Sequence, residues 1–234
     1  LRKAIEFANA DTSGSGVRIG FAATAFPPAG PGAITIGSVP LPVVTGDDVT
    51  IDGAGRGVRL VGMTQSLTPS VNGVVMSGAR ATVRGLEVRG FAGNCIHLTG
   101  PQSVAGGDPA SGEGNVVDDC GIGIRDDGAG SRIEGNRIGL APGTVGAASV
   151  AIGLWVTASD SVAGEAASGE GHANTIGNAT VGIRVGGVGT AALTGVRLAS
   201  NVIGGSGDTA APVQTGIEVL APVSGVLATG NSLR

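Results

Sequence analysis

The sequence predicts an all-β chain, a single-stranded parallel β-helix (a solenoid of short strands) behind one short N-terminal helix. Three observations predict it. Glycine supplies 45 of the 234 residues, far above the roughly 7% of an average protein. Yet 41% of residues are hydrophobic and only 14% are charged, the reverse of the balance that keeps a chain disordered. Finally, the phrase SVAGGDPASGEGNVVDDC from Ser103 returns as SVAGEAASGEGHANTIGN from Ser161, 58 residues later. A loop that only joins two elements has no reason to be copied, whereas a stacked repeat does.

Taken in order, LRKAIEFANA at 1–10 is the one good helix. Leu1, Ile5, Phe7 and Ala8 fall near one face, and Asp11-Thr-Ser-Gly ends it. Residues 1–16 are therefore expected to form a capping helix and turn, because the open end of a solenoid must be covered. Residues 17–234 form the β-helix. Its short extended pieces are 17–21, 33–37, 49–53, 58–62, 73–78, 81–91 and 95–100, separated by Gly and Pro. Interior Gly costs a helix about 1 kcal/mol relative to Ala, and the recurring Val and Ile suit strands.

The repeat aligns directly. CIHL at 95–98 matches GLWV at 153–156, Asn115-Val-Val matches Asn174-Thr-Ile, Gly123-Ile-Arg matches Gly182-Ile-Arg, and NRIG at 136–139 matches NVIG at 201–204. A unit of 58–59 residues is too long for one coil and is expected to hold two. Asn115, Asn136, Asn174, Asn201 and Asn231 all stand in the form N-x-(V/I/L). Asparagine tolerates left-handed backbone and bonds neighbouring backbone. Stacked at one corner, these five would form an amide ladder. A propeller or a sandwich explains the copied loops less economically.

Composition narrows the function classes. The net charge of −4, with a pI near 5.1 and a single lysine, Lys3, gives no pull toward nucleic acid or anionic lipid. No apolar run approaches the roughly 20 residues that span a bilayer. The chain opens on Leu1 without a signal peptide and stops at GNSLR in mid-pattern, so it reads as part of a longer polypeptide whose solenoid continues. Cys95 and Cys120 lie about one coil apart and are compatible with one disulfide or with two buried free thiols.

At the N-terminus, LRKAIEFANA resembles the LREAI-x-x-AN segment of CSLREA-type domains, and AITIGSVPLPVVTGDDVTIDGAG resembles their continuation into the first coils. The later N-x-I-G, G-I-x-V and S-V-x-G…G-E-G-N-x-(I/V) phrases are similar to the repeats of right-handed parallel β-helix proteins of bacterial cell surfaces. The resemblance covers nearly the whole chain and implies a right-handed β-helix. It also implies a secreted or surface-displayed, adhesin-like setting, mostly without an assigned reaction. An extracellular setting would favour the Cys95–Cys120 bond.

Chemistry, if any, would be carried by Asp118, Asp119, Asp126 and Asp127, with Arg125 among them. On a β-helix such carboxylates could take Ca²⁺, which wants six to eight oxygens, and a nearby arginine is the kind of base that pectate lyases of this fold employ. Two carboxylates could equally work as acid and base on a glycoside. The plainer reading is that DDCG and RDDGAG are turns whose Asp side chains cap backbone and face water. The second repeat reads TIGNATVGIRVGG there, so the coil does not require the acids. His97, expected to point outward, and His172 have no metal-ligand spacing. No nucleophile motif or phosphate loop is present. Trp155 would be a sugar platform only if it faced out; packing against a loop or within the core is the expectation.

These readings rank a non-enzymatic surface module first, structural or adhesin-like, with loops such as GGDPASGEG and GLAPGTVGAAS presented to a cell-surface glycan or protein. A pectate-lyase-like lyase or a glycoside hydrolase using the acidic cluster is the alternative. An ice-binding solenoid is disfavoured for want of Thr-x-Thr arrays. No cofactor is expected, Ca²⁺ being the one ion the acids would suit.

Overall fold

A computed structural model describes residues 1–63, 70–140, 150–165, 171–187, 192–204 and 211–234. The described strands make a parallel β-solenoid with three faces. The first face is a sheet of eight parallel strands stacked in chain order: Arg18–Gly20, Thr50–Asp52, Thr82–Arg84, Val104–Gly106, Arg132–Glu134, Val162–Gly164, Arg197–Ala199 and Leu227–Thr229. The second and third faces belong to one sheet, because Leu86–Leu98 and Val116–Asp126, of 13 and 11 residues, cross the corner between them unbroken. On the second face these strands pair with Val58–Gly62 and Arg137–Ile138; on the third they pair with Val74–Met76 and Val150–Val156.

Pairing register accounts for the copied phrase. Val104 pairs with Arg132 and Arg132 with Val162, so the copies that begin at Ser103 and Ser161 stand two coils apart. Coils are not equal in length. Thr82 pairs with Val104, 22 residues on, whereas Val162 pairs with Arg197, 35 residues on. The fixed residues of the phrase are scaffold. Ser103, Ser131 and Ser161 are fully buried at successive coils, and the Ser103 and Ser131 hydroxyls donate to Gly100 O at 2.9 Å and Gly128 O at 2.7 Å.

Side chains alternate in and out along each strand, so inward residues of successive coils stack in columns. Ile51, Val83, Ile133 and Leu198 are members of one such column, and none of them meets solvent. Each fully buried side chain of this kind stabilises the fold by about 1.5–3 kcal/mol.

Two expectations change. The segment 81–91 is not one strand. Gly85, at φ 66°, turns the chain, so that Thr82–Arg84 lies on the first face and Leu86 opens the second. A Cβ there would run into the backbone of Gly53 and Ala54. Secondly, the helix Arg2–Ala10 buries Ile5 and Ala8, three residues apart on one side, while Phe7 is 73% exposed. Two residues along a helix is a turn of about 200°, so Phe7 cannot share the face of Ile5. The helix is fastened to the chain that follows it through Asn9, whose Oδ1 accepts from Thr45 N at 2.8 Å and whose Nδ2 donates to Val43 O at 2.7 Å. Among the described residues no helix is long and apolar enough to cross a membrane.

Candidate functional site

All the acids singled out in the sequence lie on or just past the strand Val116–Asp126, and the strand separates them. Asp118 lies before the corner that the chain turns at Asp119, and Asp126 lies at the far end of the next face, six residues or about 20 Å of strand beyond Cys120. The four carboxylates and Arg125 therefore do not converge on one groove. They form two clusters, one at each end.

At the first end, Asp118 is fully buried and neither of its carboxylate oxygens has a hydrogen-bond partner. Asp119 is exposed and sits at the corner with φ 54°. The equivalent position of the second copy is Asn178, at φ 46°, and Asp and Asn are the side chains that best tolerate this conformation. Cys120 is joined to Cys95 by a disulfide, with Cα atoms 5.8 Å apart. Cys120 pairs with Phe91, and a register shift between Phe91 and Asn94 brings Cys95 alongside. That bulge answers the question which spacing alone left open, because it re-aims a side chain that a regular ladder would hold out of reach.

The second end is the one with surface chemistry. Arg125 and Asp127 point outward, and Asp126 between them points in. Asp126 occupies the column of Leu98 and Val156 and is fully buried. Burial pushes its carboxyl up to about 6. The nearby Ser161 and Ser131 hydroxyls and the Gly128 N–H, 3.1 Å from Oδ1, hold it back in part, and the neighbouring Asp127 adds to the rise. Its Oδ2 has no hydrogen-bond partner. Asp127 behaves in the opposite way. Burial would raise it, but His97 Nε2 at 2.7 Å from Oδ2, Thr157 Oγ1 and Arg125 Nε at 3.0 Å from Oδ1 together hold it well below the usual carboxylate range.

Around this pair runs an outward row with one residue per coil: His97, Arg125, Trp155, Arg184 and Glu218, in direct register. Trp155 faces out, contrary to the expectation of loop or core packing, but its ring is not open. The Arg125 guanidinium lies 4.8 Å and the Arg184 guanidinium 5.3 Å from the ring centroid, one from the strand on each side. These are cation–π distances. The indole Nε1 donates to Gly186 O at 2.8 Å, and Arg184 pairs with Glu218 at 2.6 Å. A sugar cannot stack on a ring already flanked by two guanidiniums. The spacings 97, 125, 155 and 184 differ by about one coil each, so the row could have been found from the repeat period.

The five asparagines make one ladder. Nδ2 of Asn115, Asn136, Asn174 and Asn201 donates to Oδ1 of the next asparagine at 2.9–3.0 Å. Asn115, Asn136, Asn174 and Asn201 are buried. His172 lies 3.8 Å from Asp108. The loop GGDPASGEG at 106–114 does not swing free. Its Glu113 pairs with Arg84 at 2.6 Å and accepts the Asp108 N–H at 3.2 Å, and Asp108 caps the short turn Pro109–Ser111. The loop at 141–149 (most of GLAPGTVGAAS) and residues 166–170 of the second copy lie outside the described residues. Among the described residues no group of three or more His, Cys, Asp or Glu side chains is placed to hold a metal ion.

No family model, no curated protein and no solved structure matches the chain.

Proposed function

We propose that the chain is a non-catalytic module of a secreted or cell-surface β-helix protein of the CSLREA type, structural or adhesin-like, that presents its rigid outer faces to a glycan or protein ligand. The observation that carries this reading is the separation of the acids: a general acid and base need to flank one bond, and here they stand at the two ends of a strand that turns a corner at Asp119. At the second end, Asp126 faces the interior and Asp127 already accepts from three side chains, which leaves no carboxylate facing solvent with a proton to give. The buried disulfide fits an oxidising compartment.

The test is incubation with a panel of acidic polysaccharides, with and without Ca²⁺, watched for new unsaturated or reducing ends. Binding without new ends is expected. Turnover that disappears in Asp127→Asn or Arg125→Gln would overturn the reading and restore the lyase or hydrolase alternative.

A further inference from the structure

At the N-terminal end of the first face, a hollow of about 390 Å³ is lined by Arg18, Gly20, Phe21, Asp52, Ala54 and Arg56, among others. From its geometry we propose that this hollow binds the carboxylate of a sugar acid, with Arg18 and Arg56 as the anion-recognising pair. The inference rests on the reading of the chain as a non-catalytic surface module and names a ligand class for it.

The charge balance carries the argument. Asp52 is the one acid in the named lining, and its side chain is fully buried. Its Oδ1 accepts the Ala54 N–H at 2.9 Å, and its Oδ2 takes Arg84 Nη2 at 2.7 Å and Arg18 Nη2 at 2.9 Å. Arg84 in turn pairs with Glu113 at 2.6 Å. Arg56 has no carboxylate partner among the described residues. Its Nε and Nη1 donate to the carbonyls of Phe21 and Gly55 at 3.3 and 3.0 Å, which aims the rest of the guanidinium without neutralising it. Three guanidiniums thus meet two carboxylates, leaving a local surplus of positive charge on a chain whose net charge is −4. An arginine fork matches a carboxylate in two parallel hydrogen bonds.

Shape supplies the rest. Small residues, Gly20 and Ala54, keep the hollow open, and a Cβ added at Gly20 would meet nothing within 4 Å. The half-buried Phe21 ring, held edge-on to Phe26 at 5.3 Å, gives one apolar wall. A volume of this size lies at the lower end of small-ligand sites and admits one sugar ring.

Titration of the protein with glucuronate, glucose, glucose 6-sulfate and N-acetylaspartate, followed by backbone amide NMR shifts, tests it. Glucuronate should bind saturably, roughly in the millimolar range, and shift the amides of residues 18–22 and 52–56. The other three should bind at least about tenfold more weakly. Arg56→Gln and Gly20→Trp should each weaken glucuronate by at least about tenfold. Gly20→Trp fills the hollow without removing either arginine, so the two variants fail for different reasons. Equal binding of glucose or of N-acetylaspartate, preference for the sulfate, or wild-type affinity in both variants overturns the proposal. Cleavage of acidic polysaccharides would sink the module reading whatever the hollow binds. Binding that survives both variants sinks the hollow alone.

Discussion

The asparagine ladder and the outward row from His97 to Glu218 are both stacks of one residue per coil, and they follow opposite rules. The ladder repeats one residue, because each amide oxygen accepts from the coil before, while its Nδ2 donates both to the next asparagine's oxygen and to a backbone carbonyl of the coil before. Identical units at a strand spacing of about 4.8 Å then satisfy one another in the dry interior. The row varies its residues, because identical charges at that spacing would repel. It alternates instead, with Trp155 between two arginines and acids at Asp127 and Glu218 closing off the charge. Interior stacks set the fold; exterior stacks are free to differ between coils and so can be specialised.

Breaking the ladder should have the largest effect. Asn174→Ala removes four side-chain hydrogen bonds, to Asn136 N and Nδ2, Ile133 O and Asn201 Oδ1, and leaves buried partners unpaired. The expected loss is about 3–5 kcal/mol in urea denaturation; a loss under about 1 kcal/mol would mean that the ladder does not act as a unit. Next comes the buried clasp. The double variant Cys95→Ala/Cys120→Ala opens a link across 25 residues of sequence and should cost about 3 kcal/mol, with reductant producing a similar fall in the wild type and none in the variant.

Adjacent acids sharpen the comparison, since Asp126 belongs to an interior column and Asp127 to the row. The folded state raises the Asp126 carboxyl to about 6, above its unfolded value near 3.9. The fold therefore holds that proton more tightly, and stability falls as pH rises from about 4 to about 6, by roughly 2–3 kcal/mol. Asp126→Asn should remove this fall, and at pH 7 it should be more stable than the wild type by about 2 kcal/mol. Asp127 is depressed, so its contribution is present above about pH 4 and is lost as pH drops through its lower folded value. Asp127→Asn should cost about 1 kcal/mol at pH 7, because the site is partly open to solvent, and nothing in strong acid. Thermal melts from strong acid to pH 8 check both, and the same sign of pH dependence in the two variants would contradict the inward and outward assignments.

Part of this was legible in residues alone. The 58-residue offset and the recurring Asn and Ser are periodic signals, and they led to a two-coil unit and to a stack at one corner. The helix is legible too, but four apolar residues close together look like one face although Phe7, two residues from Ile5, lies off it. The split at Gly85 was hidden, since VRGLEVRG looks like one alternating run. Of the acids, the sequence showed that the second copy does without them; it did not show that one strand carries them to opposite ends and opposite sides.

What the sequence determined by itself, then, is the solenoid and its internal stacks. A repeat is one-dimensional information, and equal residues at each coil can stack only if coils lie directly on one another. Which unlike residues meet was decided by tertiary structure. Coils of 22 to 35 residues and a bulge between Phe91 and Asn94 set the register by pairing rather than by counting. That register puts Asp127 against His97, Trp155 between two arginines, and Asp52 between Arg18 and Arg84. Interior packing tolerates loops of any length between coils, so sequence distance carries no fixed meaning across the outer surface.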